Sequence, residues 1–355
     1  MPKWIGNRFG NVVPIGPGSN AGSAIYSLFD QYYASRESGW HPDVAGPFTV
    51  TGGNATSTAG GYKYFYFTSS GSLAVTNNSP GPGPLSISFM LIGGGGASTS
   101  TGGGGGGAGT VVQKIDFDLG NVSSGSLGSW PVSIGAGGQG EGDDGSGSAF
   151  VISTTPTTFT APGGGAGKQT SGQAGGSGGG GGRGGPQGGS SGVPQTISSG
   201  NTPPTGIGHD GAAGSGPQNP AGGGTGGGGG GAGGVGQQGT GSKGGNGGNG
   251  LPAFNGDANV SGNYGTPGPS AGRWFAGGGA GGAHYSVPGG TGGTGGGGAG
   301  APPASGQVGA RGTANTGSGG GGGGGAPNQY VGPIDINPSG APGIMIFRMP
   351  TDILA

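Results

Sequence analysis

Three histidines, His41, His209 and His284, are the first residues to test for chemistry, and they lie too far apart to share a metal-ligand spacing. No serine, histidine and acid fall in triad order, and no lysine follows a glycine run as a phosphate loop needs. The glycine runs open no helix, which a dinucleotide-binding loop requires. The stretch GGQGEGDDG at 137–145 is faintly like one Ca²⁺-binding nonapeptide repeat, but it occurs once and a plain polar turn is the simpler reading. With no cysteine in the chain, disulfide frameworks and thiolate metal sites are excluded. Neither an enzyme nor a cofactor is expected.

What remains is recognition. Three long loops hold nearly all the unusual side chains of the C-terminal half: His209 and Asp210 in 186–220; Phe254, Asp257, Tyr264, Arg273, Trp274 and Phe275 in 251–275; Gln307 and Arg311 in 301–316. Aromatic rings beside Arg and Asp suit stacking on sugars or docking on a surface protein. The competing reading is that Trp274 and Phe275 only cap the structure that carries them.

The scaffold for such loops has an unusual composition. The chain has 110 glycines and 28 prolines in 355 residues, more than the Pro+Gly share of about 25–30% at which low-complexity disorder is the default. Only 6% of residues are charged and the net charge is -1, whereas disordered chains usually stay solvated through charge. An uncharged glycine-rich chain must collapse or find partners for its backbone amides. Eleven Lys and Arg, scattered singly, give no basic stripe, so nucleic acid is not an expected partner. The N-terminus MPKWIGNRFG lacks an apolar core of signal-peptide length, which suggests synthesis and assembly in a cytoplasm.

Three regions separate. In 1–45, Ile25, Leu28, Phe29, Tyr32 and Tyr33 fall on one helical face, with Ser23 as N-cap and Gly39 at the C-terminus. A helix of that length is marginal alone, so its aromatic face wants a partner, in this chain or another. Region 46–162 reads as β: PFTV (47–50), YKYFYFT (62–68), SLAVT (72–76), PLSISFMLI (84–92), TVVQKID (110–116), WPVSI (130–134), SAFVI (148–152) and TTFTA (157–161) suit an antiparallel sandwich. GIMIFRM at 343–349 is too apolar for a tail and is expected to return to the same sheet. Region 163–341 would then be a glycine-rich insertion between two strands, with a smaller excursion at 93–109.

Within that insertion the tracts run approximately 174–185, 221–236, 243–250, 276–283, 289–300 and 317–326. An α-helix is excluded by the cost of about 1 kcal/mol per glycine, and a pleated sheet gains nothing from missing side chains. Collagen needs one glycine in three, and here the ratio is inverted. Polyproline-II geometry, with three residues per turn, leaves every backbone group pointing sideways and lets neighbouring helices bond each other. GGNGGNG (244–250) and GGTGGTGG (289–296) keep that phase, as do Ala280/Ala283 and Ala232/Val235. Such edges are expected to face solvent or the β region, with all-glycine edges inward. If each tract crosses the bundle once, counting crossings puts 186–220, 251–275 and 301–316 at the end remote from the β region, and the links 237–242 and 284–288 beside it.

The order of motifs resembles the glycine-rich proteins of tailed bacteriophages: a β segment ending in LIGGGG, an AGTVV return, an SIGAGG strand end, TAPGGG, and a glycine array closed by GIMIFR. The similarity spans about 46–349. WIGNRFG and IYSLFDQYY before GW are similar to N-termini of marine-phage virion proteins. The resemblance implies a tail-fibre or tail-tip adhesin: 1–45 attaches to other tail proteins, and the end loops bind a host receptor, either a glycan or an outer-membrane protein. The N-terminal helix departs from adhesins that merely cap another fibre, and a homotrimer is an open option. A structural virion appendage without a ligand and a cellular extracellular glycine-rich filament are the rival readings.

Overall fold

A computed structural model describes residues 48–99, 102–183, 206–216, 224–284, 287–301, 308–324 and 338–355. The expected N-terminal helix and Gln307 lie outside these residues. The described chain is mainly β with no α-helix, and both large sheets are antiparallel throughout. Its strands are β1 (Phe48–Gly52), β2 (Ala55–Ala59), β3 (Tyr62–Phe67), β4 (Gly71–Asn77), β5 (Gly83–Ile92), β6 (Val111–Val122), β7 (Gly125–Ser133), β8 (Ser148–Ile152), β9 (Thr157–Ala161), β10 (Leu251–Pro252), β11 (Trp274–Phe275) and β12 (Ile344–Pro350). The sequence ATSTA of β2 carries no large apolar residue. It escapes a hydrophobicity reading because it is an edge strand held by pairing to β3.

The five-stranded sheets have the orders β1-β4-β7-β8-β9 and β2-β3-β12-β5-β6. One hydrophobic core draws on both. It includes Leu73, Val75, Trp130, Phe150 and Phe159 from the first sheet and Phe65, Phe67, Phe89, Leu91 and Phe347 from the second. Alternation decides which side chains enter it. In YKYFYF of β3, Phe65 and Phe67 join this core, while Tyr64 and Tyr66 join a second cluster on the opposite face.

Strand direction gives the sheets two poles. Ile92, Val111, Ser133, Ser148, Ala161 and Ile344 end or begin strands at one pole, where β5 meets β6 and β12, β7 meets β8, and β8 meets β9. The glycine-rich segments leave from there. Phe48 lies at the other pole, opposite Asn77, and its carbonyl accepts the Ala355 N–H.

Beyond the sheets the glycine segments bond one another laterally with a step of three. In 102–109, the N–H groups of Gly104 and Gly107 reach the carbonyls of Lys168 and Gly165; those of Gly105 and Ala108 reach Gly227 and Gly230; those of Gly106 and Gly109 reach Gly320 and Gly317. Three edges thus serve three neighbours. Likewise Gly226, Gly229 and Ala232 donate in turn to Gly282, Gly279 and Ala276. A β ladder would repeat every second residue.

GGNGGNG and GGTGGTGG are neighbours. Gly247 and Gly250 donate to the carbonyls of Thr291 and Thr294, while Asn246 Oδ1 and Asn249 Oδ1 accept the N–H groups of the same threonines at 2.9 and 3.2 Å. Asn249 and Thr291 are exposed, as expected of a non-glycine edge. Ala280 and Ala283 are instead buried, so an inward edge admits a methyl at some positions. Ala232 is buried and Val235 is 61% exposed; the pair shares no edge because the chain turns between Gly231 and Gly234, whose N–H and carbonyl are bonded.

The expected crossings are also corrected. The run 289–300 does not cross once but reverses at Gly295 and Gly296, whose φ values of +103° and +100° only glycine adopts easily.

Candidate functional site

The unmarked turns reverse the expected placement of the loops. Segment 251–275 lies on the outer face of the β2-β3-β12-β5-β6 sheet, not at the remote end. Alternation puts Tyr62, Tyr64 and Tyr66 of β3 and Arg348 of β12 on that face, and the loop covers them. Tyr64 Oη donates to Asp257 Oδ2 at 2.5 Å, and Arg348 Nη1 pairs with the same oxygen. The guanidinium of Arg348 sits between two rings, 4.3 Å from the Tyr62 centroid and 4.2 Å from Phe254. Tyr264 stacks on Tyr66 at 4.4 Å, and the Ser261 N–H donates to Tyr66 Oη at 2.9 Å.

The recognition residues expected in this loop are therefore engaged internally. Phe254 and Phe275 are buried in the second apolar cluster with Ile344 and Ile346. Arg273 donates from Nε to the Tyr264 carbonyl and from Nη2 to the Gly265 carbonyl. Trp274 is half-buried, pairs with Pro252 across β10 and β11, and donates weakly to the Ser270 carbonyl. The physical reason is that three outward tyrosines and an arginine on a central strand form a face too large and too apolar to be left in water.

Burial pushes Asp257 up, but hydrogen bonds from Tyr64 and Asn259 and the charge of Arg348 outweigh it and hold the carboxyl below its usual range. Tyr64 is held well above the ordinary phenol range by burial, then by its bond to Asp257. The two shifts act at opposite ends of the pH scale. Asp257, lowered when folded, contributes stability above its ordinary value of 3.8 that is lost as pH falls further. Tyr64, raised when folded, contributes stability below its ordinary value of 10.0 that is lost as pH rises through the folded value.

Removing one partner of the buried pair leaves a charge stranded. Asp257→Ala is expected to cost about 3–5 kcal/mol in urea unfolding, and Asp257→Asn with Arg348→Met considerably less. Equal losses for the single and double variants would show that the ion pair does not hold the loop. The acid-side loss of stability should also be weaker in Asp257→Asn.

Of the remaining candidates, His209 and Asp210 lie along a flank. Their segment runs from Ile207, paired with Val111 at the sheet, to Ser215, paired with Thr225. The His209 carbonyl accepts the Gly178 N–H and the Asp210 carbonyl the Gly236 N–H. Arg311 is exposed. Segment 301–316, expected at the remote end, comes back toward the sheet in its described part: Thr313 donates to Gly296, and Gly317 lies against Gly93.

The remote end is built by other residues. Thr99 is the last described residue of the excursion out from β5, and its carbonyl accepts the Gly323 N–H. Around it lie Gly102, Arg183, Thr225, Ala283 and His284, joined through Arg183 to Gly102, Gly282 to Gly103, Gly226 to Gly282, and His284 to Gly224. The turn at Thr240–Lys243 is here too, since Thr225 Oγ1 donates to the Thr240 carbonyl; so is Pro288, which accepts from Gly244. The described parts of both short links expected beside the sheet are thus at the far end. Burial, then the charge of Arg183, holds His284 below its ordinary range.

Among the described residues no group of three or more His, Cys, Asp or Glu is placed to hold a metal. In the 137–145 stretch, Asp143 Oδ2 accepts the Gly140 N–H and Asp144 Oδ1 the Ala166 N–H, as in a polar turn. No protein-family model matches this chain, and no curated protein matches its sequence.

Two features of the site escaped sequence reasoning. The period-2 tyrosines of YKYFYF predict a covered outer face, and the lone Arg348 in an apolar strand demands a buried carboxylate. Nothing in sequence spacing singles out Asp257 as that partner. Arg183 and Thr99 come to the same end only through lateral bonding of segments far apart in the chain.

Proposed function

We propose that this chain is a tail-fibre or tail-tip adhesin of a tailed bacteriophage, in which a β-sandwich platform carries a bundle of polyproline-II glycine helices. The three-residue donor step supports the bundle, because that helix has three residues per turn and no internal bonds. Glycine is required because a Cβ on most tract residues would meet a neighbouring backbone: at Gly106 it would lie 2.0 Å from the Gly96 carbonyl oxygen. The shared core of the two sheets supports the sandwich.

The observation that carries the functional reading is polarity. Residues 1–47 join the sheets at Phe48, at one pole, and every glycine-rich segment leaves from the other. A virion-attachment segment and a host-facing surface need that separation. On this reading 1–45 binds other tail proteins, and the end remote from the sheets meets the host receptor, a glycan or an outer-membrane protein. The loop 251–275 then belongs to the platform and contributes rigidity.

Cryo-electron microscopy of the intact particle tests this. The expected result is the chain at the tail tip, with Phe48 inward and the Thr99 end outward. A position on the capsid would favour a structural decoration protein, and absence from the particle a cellular filament. Either result overturns the adhesin reading.

A further inference from the structure

An Asn–Gly step is chemically labile, because glycine lets its own amide nitrogen approach the preceding asparagine side chain. The chain has three such steps, Asn246–Gly247, Asn249–Gly250 and Asn255–Gly256. The first two lie in GGNGGNG, and Asn249 is exposed. The reaction begins when the glycine nitrogen gives its proton to a solvent base and attacks Cγ of the asparagine. A C–N bond forms, the Cγ–Nδ2 bond breaks, and Nδ2 takes back a proton and leaves as ammonia. Water then opens the cyclic imide at either carbonyl, giving aspartate or isoaspartate.

In GGNGGNG one residue of the neighbouring segment holds both reacting groups of each step. Thr294 accepts the Gly250 N–H on its carbonyl at 2.7 Å and donates its own N–H to Asn249 Oδ1 at 3.2 Å. Thr291 likewise accepts from Gly247 at 3.0 Å and donates to Asn246 Oδ1 at 2.9 Å. Asn246 Nδ2 is held as well, donating to Gln237 Oε1 at 2.8 Å. Donation to Oδ1 by itself would make Cγ a better electrophile. The nucleophile decides the balance, because an N–H bonded to a threonine carbonyl is withheld from solvent base.

We infer that Asn246 and Asn249 are latent deamidation sites, silenced by Thr291 and Thr294 while the glycine segments stay paired and released when they separate. The isoaspartate product makes the change one-way. It routes the main chain through Cβ and Cγ and lengthens it by one atom, which takes Gly250 out of the three-residue phase that pairs it with Thr294. Aspartate keeps the chain length and an Oδ acceptor for the Thr294 N–H. This chemistry requires no part of the adhesin reading.

Peptide mapping by mass spectrometry follows the full chain at mildly alkaline pH, in buffer and in guanidinium chloride. Deamidation at Asn246 and Asn249 is expected to be about tenfold or more slower in buffer, because it must await local opening. Asn255 serves as an internal reference, since the Gly256 N–H donates to the Ala253 carbonyl within the 251–275 loop. Gly228→Val, whose Cβ would strike the Asn246 carbonyl, should speed deamidation at 246 and 249 in buffer and leave Asn255 at its folded rate. That contrast separates opening of the glycine segments from unfolding of the sheets. Chains aged in denaturant and then refolded should carry aspartate at 249 and be depleted of isoaspartate. Equal rates at Asn249 in buffer and denaturant would overturn the protection by Thr294. Refolded chains as rich in isoaspartate at 249 as the unfolded pool would overturn the loss of phase.

Discussion

A chain ending at Gly343 is expected to stay unfolded or aggregate, whereas one ending at Pro350 folds. The difference is seven residues, and they form the middle of a sheet. β12 pairs with β3 along Met345–Pro350 and with β5 along Ile344–Arg348. Without it the facing edges of β3 and β5 are left open, each a template for aggregation. Ile344, Met345, Ile346, Phe347 and Met349 are all fully buried, contributing to both faces. At roughly 1.5–3 kcal/mol for each such side chain, the loss is about 8–15 kcal/mol, comparable to the whole stability of a typical domain. The buried partner of Asp257 goes as well. Loss of 351–355 removes the Phe48–Leu354 bridge, the hydrogen bonds of Thr351 to the Gly61 carbonyl and of Ala355 to the Phe48 carbonyl, and a partly buried rim. Soluble yield and far-ultraviolet circular dichroism distinguish the two chains, and adding a peptide of residues 344–350 should partly restore the shorter one. A chain ending at Gly343 with a wild-type unfolding midpoint would falsify this account of β12.

The second large effect comes from a single side chain between glycine segments. Gly228→Val is expected to cost more than the 1–3 kcal/mol or so of ordinary overpacking. A Cβ there would lie 1.9 Å from the Asn246 carbonyl oxygen and 2.4 Å from its carbon. In a common core the obstructing atom is a side chain that can change rotamer; here it is backbone. The backbone cannot withdraw freely, because Gly228 donates to Gln237 and accepts from Ala212. Gly296→Val should fail for a second reason, since φ is +100° and a Cβ would meet Thr316 Oγ1 at 2.8 Å. Thr291→Val is the contrast. Thr291 is exposed and bonds through backbone N–H and carbonyl, which valine retains, so a change within about 0.5 kcal/mol is expected. Urea unfolding of the three variants decides the matter, and matching midpoints for Gly228→Val and Thr291→Val would remove the packing argument.

The sequence alone determined the strands and the faces. Alternation in YKYFYF and SAFVI, and the apolar run of GIMIFRM, were enough to locate β3, β8 and β12, because side-chain period and β propensity are local properties. The three-residue phase of GGNGGNG and GGTGGTGG was equally legible, and those two stretches lie side by side. Tertiary structure decided where the chain turns and which loops it presents. Glycine occupies extended and left-handed conformations about equally well, so the reversals at Gly231–Gly234 and Gly295–Gly296 look in sequence like the straight legs beside them. The first of these, at Gly231–Gly234, was enough to move 251–275 from the far end onto the sheet. There Phe254, Asp257, Tyr264 and Phe275 serve the fold, because the outward face of β3 and β12 had to be covered and Arg348 had to be paired. The grouping of Thr99, Arg183 and His284 at the remote end likewise depends on lateral bonds between distant segments, and no local pattern records such bonds.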